Sequence, residues 1–357
     1  MASARKPTNR AVVLRSAGDL RLEDIAIPEP GIGEVLISMR SVGICGSDVH
    51  YWVEGNIGDF VVKAPMVMGH ESSGKVIALG EGVTDLQIGD RVAIEPGVPC
   101  RVCSYCKEGR YNLCPEIKFC ATPPYNGSLC QYYVHAADFC HKLPDNVSYD
   151  EGALLEPLSV GIHASKRAGV TLASKVLICG AGPIGLVCLL TAMASGAAEV
   201  IVTDIDEGRL KVAQAMGAKY TIKVTTKDSK VLAKQIVNTL GCQPDQSIEC
   251  SGVESSIAAA IYCTRSGGVL VLVGLGAAEA KLPIVDASVR EVDIRGIFRY
   301  VNCYPIALEM VATGTINAKP LITHTYNLDQ AVDAFAHTKC CRGGSIKVMI
   351  HCGEDDE

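Results

Sequence analysis

No basic run appears anywhere in this 357-residue chain, and its formal net charge is −6. A nucleic-acid partner leaves a basic footprint, so that class of function is excluded. The first residues, Met-Ala-Ser-Ala-Arg-Lys-Pro, lack the apolar core of a secretory leader. A charge-free stretch at 176–198 is interrupted by Gly180, Gly182, Pro183, Gly185 and Gly196. It therefore reads as strand, turn and helix, and a membrane span is not expected. Internal repeats and low-complexity tracts are missing too, apart from the acidic end Glu354-Asp-Asp-Glu357. What remains is an ordinary globular composition, 48% hydrophobic and 20% charged. The expected partner is a small molecule.

Cysteine, by contrast, is abundant at 17 residues. Without a leader, such residues more often bind metal or pack as small buried hydrophobes than form disulfides. A reducing, cytoplasmic location is expected. The triplets Asn126-Gly-Ser and Asn146-Val-Ser then read as chance matches to the glycosylation sequon.

The length suits two domains. Residues 11–95 are rich in short β-type runs, among them 11–14, 34–39, 74–79 and 90–95, separated by Gly, Pro and Asp. Residues 96–130 form a loop-rich lobe. From about residue 170 the rhythm changes to strand–helix alternation. Strands are expected at 176–179, 199–203, 219–223, 246–250, 269–273 and 292–297, with helices at 183–196, 207–216, 229–240 and 254–265. This alternation implies βαβ units on a doubly wound parallel sheet. The last sixty residues, with a helix at 328–336 and a strand at 345–350, are too short for a third domain and should pack back on the first.

Lys175-Val-Leu-Ile-Cys-Gly180-Ala-Gly182-Pro183-Ile184-Gly185 is a strand running into Gly-x-Gly-x-x-Gly. The glycines permit a tight turn, close approach of a pyrophosphate, and close helix–sheet packing. The pyrophosphate rests on the helix N-terminus. Asp204 ends the next strand, where a carboxylate accepts hydrogen bonds from ribose hydroxyls and repels a 2′-phosphate. NAD is therefore favoured over NADP, with Arg209 the neighbouring residue that would blunt the preference.

Two sets of metal-competent residues stand out. Cys100-x2-Cys103-x2-Cys106-x7-Cys114 can close a tetrahedral zinc site without an open position, a structural cross-link for the lobe at about 96–115. Cys45, His70 and Glu71 offer thiolate, imidazole and carboxylate, three ligands that leave one zinc position open to polarise a substrate oxygen. Their spacing alone also fits a buried cysteine beside a hydrogen-bonded His–Glu turn. Glu156 lies in an apolar stretch near the domain junction, either a direct ligand or a residue acting through a water on the metal. Ser47 and His50, beside Cys45, are placed for a proton relay; local turn hydrogen bonding is the competing account.

These motifs together resemble the zinc-containing medium-chain alcohol dehydrogenase family. Gly69-His70-Glu71-x2-Gly74-x5-Gly80-x2-Val83 matches its zinc pattern, and the four-cysteine lobe and the Gly180–Gly185 loop match in order and spacing. The likeness runs over nearly the whole chain and is strongest to the polyol dehydrogenase branch. The segments that carry it are Gly43-Ile-Cys-Gly-Ser-Asp-Val-His-Tyr-Trp52, Glu156-Pro-Leu-Ser-Val-Gly-Ile-His163 and Gly296-Ile-Phe-Arg-Tyr300. Glu156 stands where simple alcohol dehydrogenases have a cysteine ligand. The resemblance implies a β-rich, GroES-like catalytic domain (1–157 and 297–357) and a Rossmann domain (158–296). It implies NAD-linked oxidation of a polyol at C2 to a ketose. It assigns Cys45, His70 and Glu71 to zinc, and Tyr51, Glu156, Arg299 and Tyr300 to the polyol. Asp204, Arg209, Val273, Gly274, Leu275, Phe298 and Arg299 fall to the cofactor. Arg299 would also balance the negative charge of the site. Mammalian members of the branch lack the full four-cysteine set; this chain keeps it, which implies two zinc ions per subunit, one catalytic and one structural. The family forms homodimers and homotetramers. Other dehydrogenases of the same architecture, acting on xylitol, L-threonine or a secondary alcohol, remain open, as does a non-catalytic zinc- and nucleotide-binding relative.

Overall fold

The strand Glu34–Ile44 is the hub of the first of two structural units in the computed structural model, which describes residues 8–340 and 344–353. The first seven residues and the acidic end at 354–357 lie outside the described residues. Val35, Ile37 and Met39 alternate with half-buried neighbours, the period-2 pattern of a strand with one core face. From Ser41 to Ile44 every residue is buried, because both faces are covered there. One edge of this strand pairs along its length with Glu71–Leu79; the other is shared by Tyr132–Ala136 and, further along, Lys347–His351. The sheet extends through Arg91–Ile94 and Cys140–Lys142 on one side and Ile322–Asn327 on the other. A smaller sheet joins Asp19–Ile25, Asn9–Ser16 and Met66–Val67. The C-terminal strand Lys347–His351 thus belongs to the sheet of this first unit.

The second unit carries a six-stranded parallel sheet. Its strands are Lys175–Cys179, Glu199–Asp204, Tyr220–Lys223, Gln246–Glu249, Val269–Leu272 and Asp293–Gly296. Numbered within the unit, their spatial order is 3-2-1-4-5-6, that of a doubly wound dinucleotide fold. Val176, Leu177, Ile178, Ile201 and Val202 are fully buried in succession, since helices cover both sheet faces. The helices Pro183–Ala194, Glu207–Ala215, Ser229–Leu240 and Glu254–Cys263 fall where alternation puts them, with ends displaced by at most two residues. Caps explain the sharpest boundaries. Asp228 accepts from the Lys230 and Val231 amides at one end of Ser229–Leu240, and Gly241 ends it in the left-handed region at φ 79°.

The units divide at Glu156/Pro157, and the first unit resumes at Tyr304, not at 297. Residues just past the last strand stay with the parallel sheet, where the Ile297 amide donates to the Leu272 carbonyl. Residues 313–321 also group with the second unit.

In the first unit the C-terminal helix Ala331–Cys340 contributes Phe335, fully buried and edge-on to Trp52 at 6.1 Å. Phe335→Ala should destabilise this unit by about 3–5 kcal/mol. Urea unfolding should show that loss, while NADH binding by the folded variant stays at the parent level.

Candidate active site

The three dispersed residues meet. Cys45 Sγ, a nitrogen of His70 and a carboxylate oxygen of Glu71 lie within 4.8 Å of one another. Each is presented by a different local device. Cys45 is the N-cap of the helix Gly46–Glu54, in extended conformation, with its side chain set against the Asp48 amide at the helix start. His70 follows Gly69, whose φ of 87° and close approach to Leu129 leave no room for a side chain. Glu71 opens the strand Glu71–Leu79 and is 1% exposed.

Asp48, which the sequence reading left out, ties two of them together. One of its oxygens accepts from the Cys45 amide at 3.0 Å, completing a capping box. The other lies 3.3 Å from His70 Nδ1 and accepts from the Gly69 amide at 3.4 Å. With Nδ1 engaged by a fully buried carboxylate, Nε2 is the nitrogen left for a metal. Burial opposes a charge on His70, but Asp48 and the Cys45 thiol outweigh it and hold the imidazole pKa well above its usual value.

Lys347 was also missed. Its ammonium stands 2.6 Å from both Glu71 oxygens and donates to the Ile44 carbonyl at 3.2 Å. Burial opposes its charge, yet Glu71, Cys45 and Glu156 keep its pKa raised. The reading from sequence looked to Arg299 for a balancing cation; within the first unit, the cation against Glu71 is Lys347. Glu156, 5% exposed, is not in the three-donor group, but its charge reaches Lys347. Tyr51 is buried, Ser47 half-buried and His50 exposed, all on the helix that Cys45 caps. Phe119, a further residue without a sequence signal, packs its ring 5.9 Å from that of His70.

The cysteine lobe forms a second cluster. Cys100, Cys103, Cys106 and Cys114 bring their sulfurs within 4.8 Å of one another. The Cys103–Cys106 and Cys100–Cys106 separations are 3.4 and 4.0 Å. Tetrahedral zinc with bonds of about 2.3 Å requires roughly 3.8 Å between sulfurs, so the set fits. Amides of Val102 and Cys103 pull the Cys100 thiol down to about 7, and desolvation with neighbouring sulfurs pushes Cys106 up to about 12. Behind the lobe, buried Glu95 accepts from the Tyr111 hydroxyl at 2.6 Å and sits 3.0 Å from His141 Nε2.

In the second unit the glycine-rich loop follows the first strand. Gly180 adopts φ 100°, and a Cβ on Gly185 would stand 1.8 Å from the Gly180 carbonyl oxygen. Gly182 caps the helix that Pro183 opens and Ile184 continues, and the Arg209 guanidinium lies beside Gly182. Asp204 accepts from the Ala181 amide at 2.6 Å and the Asp206 amide at 2.8 Å, which fixes its carboxylate against the loop. Val273 and Gly274 donate their amides to the Glu249 carbonyl, and Leu275 beyond them is exposed. Arg299, at φ 53°, lays its guanidinium 4.6 Å over the Phe298 ring, and Tyr300 is buried.

Residues 31–145 match the alcohol dehydrogenase GroES-like domain, and 183–313 match the zinc-binding dehydrogenase domain. The chain belongs to the zinc-containing medium-chain alcohol dehydrogenase family. Sorbitol dehydrogenase of Bos taurus is 57% identical over 355 residues, 99% of each chain. That of Gallus gallus is 58% identical over 349 residues, 98% of each. The crystal structure of L-idonate 5-dehydrogenase from Escherichia coli K-12 superposes with a TM-score of 0.89 at 31% identity, covering 97% of this chain and 98% of the other. This dehydrogenase is thus an NAD-dependent oxidoreductase acting on CH–OH groups, and its cofactors are NAD and zinc. Among the described residues no helix is long and apolar enough to cross a membrane.

A pH dependence of metal binding follows from His70. The metal-free imidazole holds a proton below its raised pKa, and that proton must leave when a metal binds. Affinity should therefore rise with pH, falling about tenfold per unit below that pKa. Chelator competition between pH 8 and 5.5 would measure it; a flat profile would remove His70 from the ligand set.

Proposed function

We infer that this chain is a zinc-dependent, NAD-linked polyol dehydrogenase, oxidising sorbitol and related polyols such as xylitol at C2. The product from sorbitol is fructose, and the reaction is reversible. The observation that carries this reading is the Cys45–His70–Glu71 cluster in a chain that matches sorbitol dehydrogenases end to end.

Cys45, His70 and Glu71 are the proposed holders of the catalytic zinc, which when bound polarises the alcohol oxygen while NAD accepts the hydride from C2. The donor set fits: a soft thiolate, an imidazole and a hard carboxylate, with one position to spare. Glu156 is assigned to the proton that the alcohol gives up, taken directly or through a water, and its burial keeps that proton away from bulk solvent. Ser47 and His50 are the alternative route, a relay that carries the proton outward in place of Glu156. Their exposure grades from half-buried to exposed along one helical turn, as a relay to solvent requires. The Ser47 hydroxyl can accept a proton while donating its own.

Tyr51, Arg299 and Tyr300 are assigned to the remaining hydroxyls of the polyol. Tyrosine hydroxyls and a guanidinium supply the donors and acceptors that a chain of alcohols needs. Gly180, Gly182, Pro183, Ile184 and Gly185 are assigned to the NAD pyrophosphate, and Asp204 and Arg209 to its ribose. Val273, Gly274, Leu275, Phe298 and Arg299 complete the cofactor set. Cys100, Cys103, Cys106 and Cys114 are proposed to hold a structural zinc, giving two metal ions per chain.

A cytoplasmic homodimer or homotetramer belongs to the same proposal. Asp293–Gly296 is the outermost strand of the parallel sheet, and the neighbouring helix Ile284–Val289 exposes Val285 and Val289 at 76% each. An exposed edge beside apolar side chains favours pairing with another chain.

Purified protein given sorbitol and NAD should produce NADH absorbance and contain two zinc ions per chain. Glu71→Ala should lose one zinc ion and at least about a thousandfold in turnover. Full zinc and full turnover in that variant would refute the assignment.

A further inference from the structure

Glu71 and Lys347 lie on strands that flank Glu34–Ile44 and do not pair with each other. Gly43 faces Glu71 on one side and Met349 on the other. The Glu71 side chain reaches Lys347 only by crossing over Gly43, where a Cβ would stand 2.2 Å from Oε2. Both Glu71 oxygens then meet one ammonium, with the two residues 1% and 3% exposed. The same carboxylate also belongs to the three-donor group.

Two cations therefore have a claim on one carboxylate. The charges show what each does. Cys45 as thiolate, Asp48, Glu71 and Glu156 supply four negative charges, and a divalent ion and Lys347 supply three positive ones, so the buried set has no positive charge to spare. When the metal leaves, His70 still faces Asp48 at 3.3 Å, and Lys347 is the cation in contact with both Glu71 oxygens. A buried carboxylate without a counter-charge is strongly destabilising.

We propose that Lys347 is a built-in stand-in for the metal. It holds the Glu71 carboxylate in the metal-free chain, keeps the three donors assembled, and competes with the incoming ion for the same oxygens. The proposal rests on the reading of Cys45, His70 and Glu71 as a metal site. It makes metal loss reversible without unfolding, at the cost of a weaker hold on the ion. Lys347 is thus a positioning residue whose effect is opposite in sign for folding of the metal-free chain and for metal affinity.

The test uses Lys347→Met, which keeps length and apolar bulk and removes the charge, expressed with zinc and then stripped by chelator. Thermal unfolding is recorded with and without zinc, and zinc affinity is measured by chelator competition. The metal-free variant should melt at least about 6 °C below the metal-free parent. The zinc-loaded variant should melt close to the zinc-loaded parent, and its affinity for zinc should be about tenfold higher. Lys347→Arg should behave as the parent. A variant that folds only while zinc is present supports the proposal as well. Equal loss of melting temperature in both forms, or weaker zinc binding, overturns it and leaves Lys347 as ordinary scaffolding. So does a variant that cannot be obtained folded even with zinc, since the ion should then replace the ammonium. His70→Ala, assayed for metal content, separates the two failures. If it keeps the parent's zinc, the metal-site reading itself falls, and the stand-in role with it.

Discussion

A carboxylate buried as deeply as Glu71 has to be matched by positive charge, and the architecture of the first unit follows from where that charge comes from. Lys347 lies 276 residues further along the chain. For it to meet Glu71, the C-terminal strand Lys347–His351 must enter the sheet on the far side of Glu34–Ile44. The strand between them must carry glycine at position 43, because any side chain there would occupy the space of the carboxylate. Sheet order, the return of the chain and one glycine are thus bound to a single ion pair. Such pairs add little net stability when geometry is poor, because both ions lose their water. Here the ammonium contacts both oxygens and a backbone carbonyl, the geometry in which the pair compensates that loss.

Around this pair, each of the three clustered side chains is set by a rigid element or by a turn closed through backbone hydrogen bonds. The Cys45 cap, the Gly69 turn and the Glu71 strand start are three different solutions to the same need for a fixed direction. Asp48 couples the first two, so His70 and Cys45 cannot move independently. The turn is closed from the other side by Ser128, whose amide and hydroxyl both donate to the Gly69 carbonyl. A constellation held in this way is preorganised, which is what a metal site with an open position needs.

The second unit obeys more local rules. Gly185 has no alternative, given the carbonyl 1.8 Å from where its Cβ would be, and Gly180 must take a positive φ. Asp204 is oriented by two amides from loops at the strand ends, so its carboxylate faces the glycine loop before any ribose arrives. These demands fall within about thirty residues of one another in a βαβ unit. That is why the same pattern serves many dehydrogenases, and why it says nothing about the alcohol.

The sequence by itself determined whatever rests on short-range chemistry. The Gly-x-Gly-x-x-Gly turn and the strand–helix alternation after residue 170 recur in the structure, and the four cysteines do gather, because turn, cap and periodicity rules act between near neighbours. The meeting of Cys45, His70 and Glu71 was legible only with a family pattern beside it, since spacing alone left a buried thiol and a His–Glu turn as an equal account. Tertiary structure alone decided the rest. Asp48 looks like any first-turn acid until His70 is seen against it, and Phe119 like any core aromatic. Gly43 gives no sign of lying under a carboxylate. Lys347, in an apolar strand near the chain's end, reads as a surface cation until the sheet closes. Electrostatic pairing depends on distance in space, and no rule of local sequence carries that across 276 residues.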